Sequence, residues 1–239
     1  MMKYLFVLLL CICTLSFGSE VLILIGSPGA GKGSFALYAK TQGYAHISAG
    51  DVIREEIANQ TPIGVQIASV IERGDFIDSD ILFHLVQDRV RASQAGNVPV
   101  IIDGYGRKPS DWEQLKAFLK EIGAEAHALL LDAPSPVCKA RMMERLVCVD
   151  CGYISHPTLG HQEGDICPAC QRNVLGPRLN DTEPVIDKRL KQYRAEIEPL
   201  LMQAFADLPF ESFETNHSLD VCLAHYAELI SKWAKEGRE

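Results

Sequence analysis

A glycine-rich segment with one lysine is the clearest candidate for chemistry in the sequence. Residues 26–34 are GSPGAGKGS, which fits the pattern G-x-x-x-x-G-K. Glycines at this spacing let backbone N–H groups turn inward around phosphate oxygens, and the lysine adds a mobile positive charge. Gly33 follows Lys32 where Ser or Thr is usual, and a hydroxyl group comes one position later at Ser34. The segment therefore predicts a loop that binds the phosphates of a nucleotide.

Two cysteine pairs predict a metal site. Cys148 and Cys151 form one C-x-x-C pair, Cys167 and Cys170 form a second, and fifteen residues separate the pairs. This is the spacing of a tetrahedral zinc site with four thiolate ligands. Such a site leaves no coordination position open, so its role would be structural. Two disulfides are the alternative, and export from the cytoplasm would favour them.

Short apolar runs alternate with helical patterns along the chain. Val21–Ile25, Val98–Asp103 and Ala126–Asp132 are typical of strands buried in a parallel sheet. Helices are predicted at Lys32–Lys40, Ser79–Ala95, Ser135–Arg145 and Thr182–Leu208. The alternation predicts an α/β fold with a parallel sheet and flanking helices. Val147–Pro177, rich in Cys, Gly, Pro and His, breaks this order and predicts a small inserted domain.

Composition and charge exclude some classes of protein. The chain has 239 residues, of which 47% are hydrophobic, so a disordered or fibrous chain is excluded. Its net charge of −8 argues against broad binding of nucleic acid. The cysteine-rich insert has Arg172 as its one basic residue, which argues against a zinc ribbon that recognises nucleic acid. A negative net charge does not exclude a local basic pocket that binds phosphates.

The first eighteen residues have the parts of a secretory signal peptide. Lys3 is their one charged residue, Tyr4–Leu15 is apolar, and Ser16 and Gly18 are small residues before a possible cleavage site. The alternatives are a start codon assigned too early or an N-terminal membrane tether. The apolar run is short for a membrane-spanning helix.

Several motifs, in order along the chain, resemble the adenylate kinase family of nucleoside monophosphate kinases. The string GSPGAGKGS is followed by HISAGDVIR at 46–54 and by DGYGR at 103–107. RMMER at 141–145 is similar to the arginine pair that enters the family's lid. RLND at 178–181 is similar to the exit from the lid, and Arg189 matches a later phosphate-binding arginine.

The resemblance implies a division into domains. It predicts a P-loop core at 19–47, 78–145 and 181–239, after a signal or N-terminal apolar segment at 1–18. A helical insert at 48–77 would bind the acceptor nucleotide, and a small zinc-ribbon-like lid would span 146–180.

The resemblance also implies roles for individual residues. The residues expected to bind ATP are Gly29, Ala30, Gly31, Lys32, Gly33, Ser34, Arg141 and Arg145. Those expected to bind AMP are Ala49, Arg54, Gly104, Arg107, Asp111, Arg178 and Arg189. The catalytic set would be Lys32, Asp103, Arg107, Arg145, Arg178 and Arg189, with Asp103 organising hydrated Mg²⁺. Guanidinium groups suit these roles because they bind phosphate oxygens bidentately.

Four positions depart from the family pattern. Ala49 stands where the family has Thr, Gly106 replaces a proline, Asp111 lies where a glutamine reads adenine, and Asn180 replaces an aspartate. Gln114 is one helical turn too late to take the glutamine's place. Changes in groups that read the base predict relaxed specificity for AMP, and Gly106 predicts a looser loop around Arg107.

The resulting prediction is ATP + AMP = 2 ADP, with Mg²⁺ bound to ATP and structural Zn²⁺ in the lid. A kinase for another nucleoside monophosphate, or a catalytically weak nucleotide-binding protein, is the alternative. The predicted partners are ATP and a nucleoside monophosphate, with no nucleic acid and no stable protein partner, for a monomer. ATP and AMP are cytosolic metabolites, so the chemistry predicts a cytoplasmic protein; export or a periplasmic location, which residues 1–18 indicate, is the alternative.

Overall fold

The computed structural model describes residues 20–72, 77–106, 109–204 and 208–236. The strands are β1 (Val21–Ile25), β2 (Ala45–Ser48), β3 (Val100–Asp103), β4 (Ala126–Asp132), β5 (Leu146–Cys148), β6 (Ile154–Ser155), β7 (Leu175–Pro177) and β8 (Phe210–Glu214). The helices are α1 (Lys32–Thr41), α2 (Ala49–Ala58), α3 (Pro62–Glu72), α4 (Ser79–Ala95), α5 (Pro109–Glu121), α6 (Ser135–Met143), α7 (Glu183–Gln192), α8 (Glu198–Ala204) and α9 (Leu219–Glu236). The signal-like segment 1–18 lies outside the described residues.

A five-stranded parallel sheet organises the core. Its strand order is β2-β3-β1-β4-β8, so β1 lies at the centre. In the register of the sheet, Leu24 of β1 is opposite Asp103 of β3 and Leu129 of β4. All five strands end at the same edge because they are parallel. The glycine-rich loop after β1 and the carboxylate of Asp103 therefore meet at one edge of the sheet.

Helices cover both faces of this sheet. On one face, Leu22 and Leu24 of β1 pack in a cluster with Phe35 of α1 and with Tyr226 and Trp233 of α9. On the other face, the intervening residues of β1 join a second cluster, to which α4, α5 and α8 contribute Val86, Leu115 and Leu201. Burial on both faces explains why β1 is apolar at every position. The predicted α/β class with a parallel sheet and flanking helices is confirmed.

Two small units extend from the core. Helices α2 and α3 form a helical insert, which Arg89 of α4 holds through ion pairs with Glu55 at 3.0 Å and Glu56 at 3.2 Å. The cysteine-rich segment forms a three-stranded antiparallel sheet in the order β6-β5-β7. This sheet has a core of its own, built on Leu146, Leu175, Cys148 and Cys167. The domain boundaries stay predictions.

One predicted helix is divided. The helix predicted at Thr182–Leu208 consists of α7, a π-helical segment at Tyr193–Ile197, and α8. Pro199, which has no backbone N–H to donate, lies just after the π-helical segment. Within the described ranges, no helix is long and apolar enough to cross a membrane.

The contact between α2 and α3 gives a test of the packing. A Cβ atom on Gly64 would overlap the backbone oxygen of Glu56, whereas one on Gly96 would lie an ordinary 3.5 Å from its neighbours. We expect Gly64→Ala to lower the free energy of unfolding by about 1–3 kcal/mol, because the two helices must separate. The control Gly96→Ala should change it little. Urea denaturation measures both, and equal midpoints for the two variants would contradict this packing.

Candidate active site

The lysine at the end of the glycine-rich loop forms hydrogen bonds with the start of the same loop. Lys32 begins α1, and its Nζ donates hydrogen bonds to the backbone oxygens of Gly26 at 2.7 Å and Ser27 at 3.1 Å. Gly31 precedes it with φ +91°, a left-handed conformation that glycine adopts without strain. A Cβ atom on Gly29 would overlap the backbone oxygen of Cys138 on α6. Close packing against α6 therefore demands glycine at position 29.

The environment of Lys32 joins the separate parts of the site. Burial lowers the pKa of Lys32, Asp103 raises it, and Arg189 and Arg145 lower it further. The charge of Lys32 thus interacts with charged residues at the end of β3, on helix α7 and at the entrance to the cysteine-rich segment. Residues from these distant parts of the sequence lie close enough to interact electrostatically, as the motif series predicts.

An aspartate holds two of the arginines. Asp181, whose side chain is 4% exposed, accepts hydrogen bonds from Nε of Arg145 at 2.8 Å and from Nη1 of Arg189 at 3.4 Å. Nη2 of Arg145 also donates to this carboxylate. A single carboxylate therefore orients two guanidinium groups and neutralises part of their charge.

Arg178 lies in an unfavourable electrostatic environment. Burial and, to a smaller extent, Arg54, Arg145 and Arg189 together lower its pKa to about 10, against the opposing effect of Asp181. Four arginines thus contribute positive potential to one region. Such a concentration suits a ligand with several negative charges, as phosphate groups have.

Asp103 ends β3 beside the phosphate loop. Its side chain is 13% exposed, and Oδ2 lies 3.5 Å from Nε2 of His46 on β2. A carboxylate at this edge of the sheet offers the oxygen ligands that Mg²⁺ prefers. The residues present therefore fit a magnesium ion bound with a nucleotide.

The predicted acceptor side includes an exposed arginine. Arg54 of α2, with 51% of its side chain exposed, pairs with Asp51. Ala49 is buried at the start of the same helix. A cavity of about 440 Å³ lies between α3 and the start of α4, and its lining includes Ile67, Ile77 and Asp80. Arg107 lies outside the described residues.

Gly106 has a conformation that proline cannot adopt. Its φ is +84°, whereas the proline ring holds φ near about −65°. The ring of Trp112 fills the space where a Cβ atom would lie, and its Nε1 donates to the backbone oxygen of Gly106 at 3.2 Å. Gly104, with φ +73°, precedes it in the same loop. The departure at Gly106 thus accompanies a specific contact with Trp112.

Gln114 of α5 contacts α4, and Asp111 lies nearby. Asp111 is buried, and together with Asp80 it adds to the effect of burial in raising the pKa of Tyr105. Nε2 of Gln114 donates to Oδ1 of Asp80 at 2.5 Å, and the hydroxyl of Tyr105 donates to Oε1 of Gln114 at 3.5 Å. Asn180 is exposed beside the arginine-binding Asp181. Both polar atoms of the Gln114 side chain thus have hydrogen-bond partners within the protein.

Arg141 is held by a residue that the sequence does not reveal. Its Nη1 donates to Oγ1 of Thr215 at 3.1 Å, and its Nη2 donates to the backbone oxygen of Thr215 at 2.6 Å. Cys138, also unassigned by its spacing, lies 3.2 Å from the hydroxyl of Ser27 in the phosphate loop. The one available signal for Thr215 is its position immediately after the last strand, at the edge that carries the loop.

The four predicted zinc ligands lie together in the cysteine-rich unit. The sulfur atoms of Cys148 and Cys170 are 3.6 Å apart, as are those of Cys151 and Cys167, and all four lie within 4.8 Å of one another. Four sulfurs at about 2.3 Å from a tetrahedral zinc ion would be about 3.8 Å apart. The described cysteines are free thiols, so the disulfide alternative is not the arrangement found.

Arg178 gives a prediction about stability. Because its environment disfavours the charged form, the positive charge destabilises the fold at every pH below about 10, and the penalty falls only as pH rises above that value. Arg178→Gln should therefore raise the melting temperature of the ligand-free protein at neutral pH by about 2–4 °C. Differential scanning calorimetry at pH 7 measures this. The exposed Arg172→Gln is the control, and a lower melting temperature for Arg178→Gln would contradict the electrostatic argument.

Comparisons with known proteins agree with the geometry. The family model described as Adenylate kinase matches residues 24–206. The adenylate kinases of Clostridium novyi (strain NT) and Caldicellulosiruptor bescii are each 33% identical over 183 residues, which cover 75% of this chain and 84% of each relative. That of Clostridium botulinum (strain Hall) is 34% identical over 186 residues, with the same coverage. With the phosphate loop and the arginines placed at one edge of the sheet, this chain belongs to the adenylate kinase family.

Proposed function

We propose that this chain catalyses ATP + AMP = 2 ADP. An oxygen of the AMP phosphate attacks the γ-phosphorus of ATP, and the bond from that phosphorus to the β–γ bridging oxygen breaks. The observation that carries the proposal is the convergence of Lys32, Arg145, Arg178 and Arg189 at the phosphate loop. Phosphoryl transfer needs alignment and neutralisation of charge more than covalent help, and this arrangement supplies both.

On the donor side, the loop Gly29–Ser34 and Lys32 hold the phosphates of ATP. Arg141, fixed by two hydrogen bonds, packs on the donor base, and Arg145 reaches the transferring group. On the acceptor side, Arg54, Arg178 and Arg189 bind the phosphate of AMP, together with Arg107. Ala49, Gly104 and Asp111 contribute to the acceptor pocket.

Mg²⁺ supplies charge neutralisation on the phosphate oxygens when it is bound with ATP. Asp103 would hold it through its hydration shell. His46 lies against the same carboxylate and restricts its orientation. Lys32 and the arginines act on the remaining charge of the phosphates.

AMP is favoured as the acceptor because the matched relatives are named adenylate kinases. Another monophosphate as the main acceptor, or a nucleotide-binding protein with weak activity, is not favoured. The departures at Ala49 and Asp111 are the reason to measure discrimination among bases. We further propose a cytoplasmic location, because ATP and AMP are cytosolic metabolites, and a monomer, because the resemblance to the family suggests one.

A coupled assay of ADP formation tests the function. We expect turnover with ATP and AMP, and a lower kcat/KM with GMP, CMP and UMP. Lys32→Met should lower kcat by about 10²–10³-fold, because it removes a cation from the transferring phosphates. Lys40→Met, on the exposed end of the same helix, is the matched control. Absence of AMP-dependent turnover in the wild-type protein would reject the proposal.

We also propose that the cysteine-rich unit binds one structural zinc ion. Cys148, Cys151, Cys167 and Cys170 would hold it, and the spacing of their sulfur atoms supports this. The backbone N–H of Arg172 lowers the pKa of the Cys170 thiol, which favours the thiolate that a metal requires. The small core of this unit would gain most of its stability from the metal.

Zinc content is measurable directly. Native mass spectrometry and elemental analysis should find one zinc ion per chain. Cys151→Ser should lose the metal and lower the melting temperature of the cysteine-rich unit, while Cys222→Ser, outside that unit, should retain the metal. A native mass lower than that of the reduced chain by four hydrogens would instead indicate two disulfides.

A further inference from the structure

Thr215 joins three parts of the donor side. It follows β8, and 1% of the residue is exposed. Its backbone N–H donates to the backbone oxygen of Asp132 at 2.7 Å, and its hydroxyl lies 3.0 Å from the backbone oxygen of Ala30 and 3.1 Å from that of Asp132. The residue therefore ties the end of β8 to the end of β4 and to the phosphate loop.

The same hydroxyl also binds Arg141. The single hydroxyl hydrogen points to a backbone oxygen, which leaves the oxygen lone pairs to accept from Nη1 of Arg141 at 3.1 Å. The backbone oxygen of Thr215 accepts from Nη2 at 2.6 Å. Two contacts with one residue fix both the position and the plane of the guanidinium group.

We propose that Thr215 is a positioning residue for the donor nucleotide, acting through Arg141 and through the peptide that follows Ala30. This inference rests on the proposed function, because that function makes Arg141 and the loop the binding site of ATP. Thr215 itself does not touch the reacting atoms. Nothing in the sequence motifs assigns it a role.

The contact with Ala30 orients the phosphate loop. In a planar trans peptide the carbonyl group and the following N–H point in opposite directions. A hydroxyl that holds the carbonyl of Ala30 therefore turns the N–H of Gly31 away from Thr215. Gly31 lies close by, since a Cβ atom there would be 3.7 Å from the Thr215 hydroxyl oxygen. Because Gly31 has no side chain, the peptide could rotate more freely without such a restraint.

The contact with Arg141 prepares the base-binding surface. An arginine side chain has many rotamers, and a ligand that stacks on it must otherwise restrict them on binding. In this protein the restriction exists before the ligand arrives, because the hydroxyl and the backbone oxygen of Thr215 already hold the guanidinium. Loss of the hydroxyl should therefore weaken ATP binding and leave the binding of AMP unchanged.

Isothermal titration of ATP, without an acceptor, tests the inference on the full chain. Thr215→Val replaces the hydroxyl with a methyl group of similar size, and we expect its Kd for ATP to rise about 10-fold or more. Thr215→Ser keeps the hydroxyl and should bind ATP within about twofold of wild type, as should the exposed control Thr41→Val. The Kd for AMP should stay unchanged in all three. If Thr215→Val does not fold by circular dichroism, Thr215→Ala replaces it.

A double-mutant cycle separates positioning from a purely structural role. If Thr215 acts through Arg141, then Thr215→Val should change the Kd for ATP less in an Arg141→Met background than in the wild-type protein. The same effect in both backgrounds would overturn the role of Arg141. Equal weakening of AMP and ATP binding, or failure of Thr215→Ser to retain ATP binding, would overturn the inference as a whole.

The outcome is distinguishable from failure of the proposed function. Unchanged ATP binding in Thr215→Val, with normal AMP-dependent turnover in wild type, rejects the inference and leaves the function intact. The expected loss of ATP binding, in a chain without AMP-dependent turnover, supports the positioning role and rejects the function.

Discussion

The site depends on holding like charges together at one edge of a parallel sheet. Arg178 has its pKa lowered to about 10 by burial and by neighbouring arginines, and the pKa of Lys32 is lowered by its own burial. Asp181 and Asp103 offset part of this repulsion. The chain as a whole carries a net charge of −8, so the positive region is a local exception.

The scaffold is able to do this because its sheet is covered on both faces. Leu24 packs towards α1 and α9, and its neighbour Ile23 packs towards the opposite helices. The ends of the strands are therefore held in place, and this restricts the motion of the loop after β1. The close approach of Gly29 to α6 adds a second restraint from outside the sheet. A flexible loop would lose more entropy when its N–H groups surround a phosphate.

Local features of the sequence predict much of this arrangement. The apolar run of β1, the glycine spacing and Lys32 are neighbours in the chain, so their structural context follows from short-range rules. The spacing of the cysteines likewise predicts their cluster. The parallel sheet is confirmed, whereas the roles of the individual arginines stay predictions. The helix predicted up to Leu208 is divided, because the π-helical segment at Tyr193–Ile197 interrupts its regular pattern.

Contacts between distant residues account for the features that the sequence does not reveal. Thr215 and Arg141 are 74 positions apart, and no pattern around either residue indicates that they meet. The sequence around Gly106 does not indicate that the ring of Trp112 lies where a side chain at 106 would be. Gln114 comes one helical turn too late to read the base, and the sequence does not indicate that it contacts Asp80. In each case a side chain from another element determines what the local residue can do.

The arginines lie on separate parts of the structure, and under the proposed function this affects how those parts respond to bound substrates. Arg54 belongs to the helical insert, Arg178 follows the last strand of the cysteine-rich unit, and Arg189 belongs to a helix packed on the core. Without a ligand, their repulsion opposes closer approach of these parts. Phosphate groups between them replace repulsion with attraction, so bound substrates would favour an arrangement in which these parts lie closer together, which we call closure. This differential affinity means that the charges which destabilise the ligand-free protein favour closure once the substrates are bound.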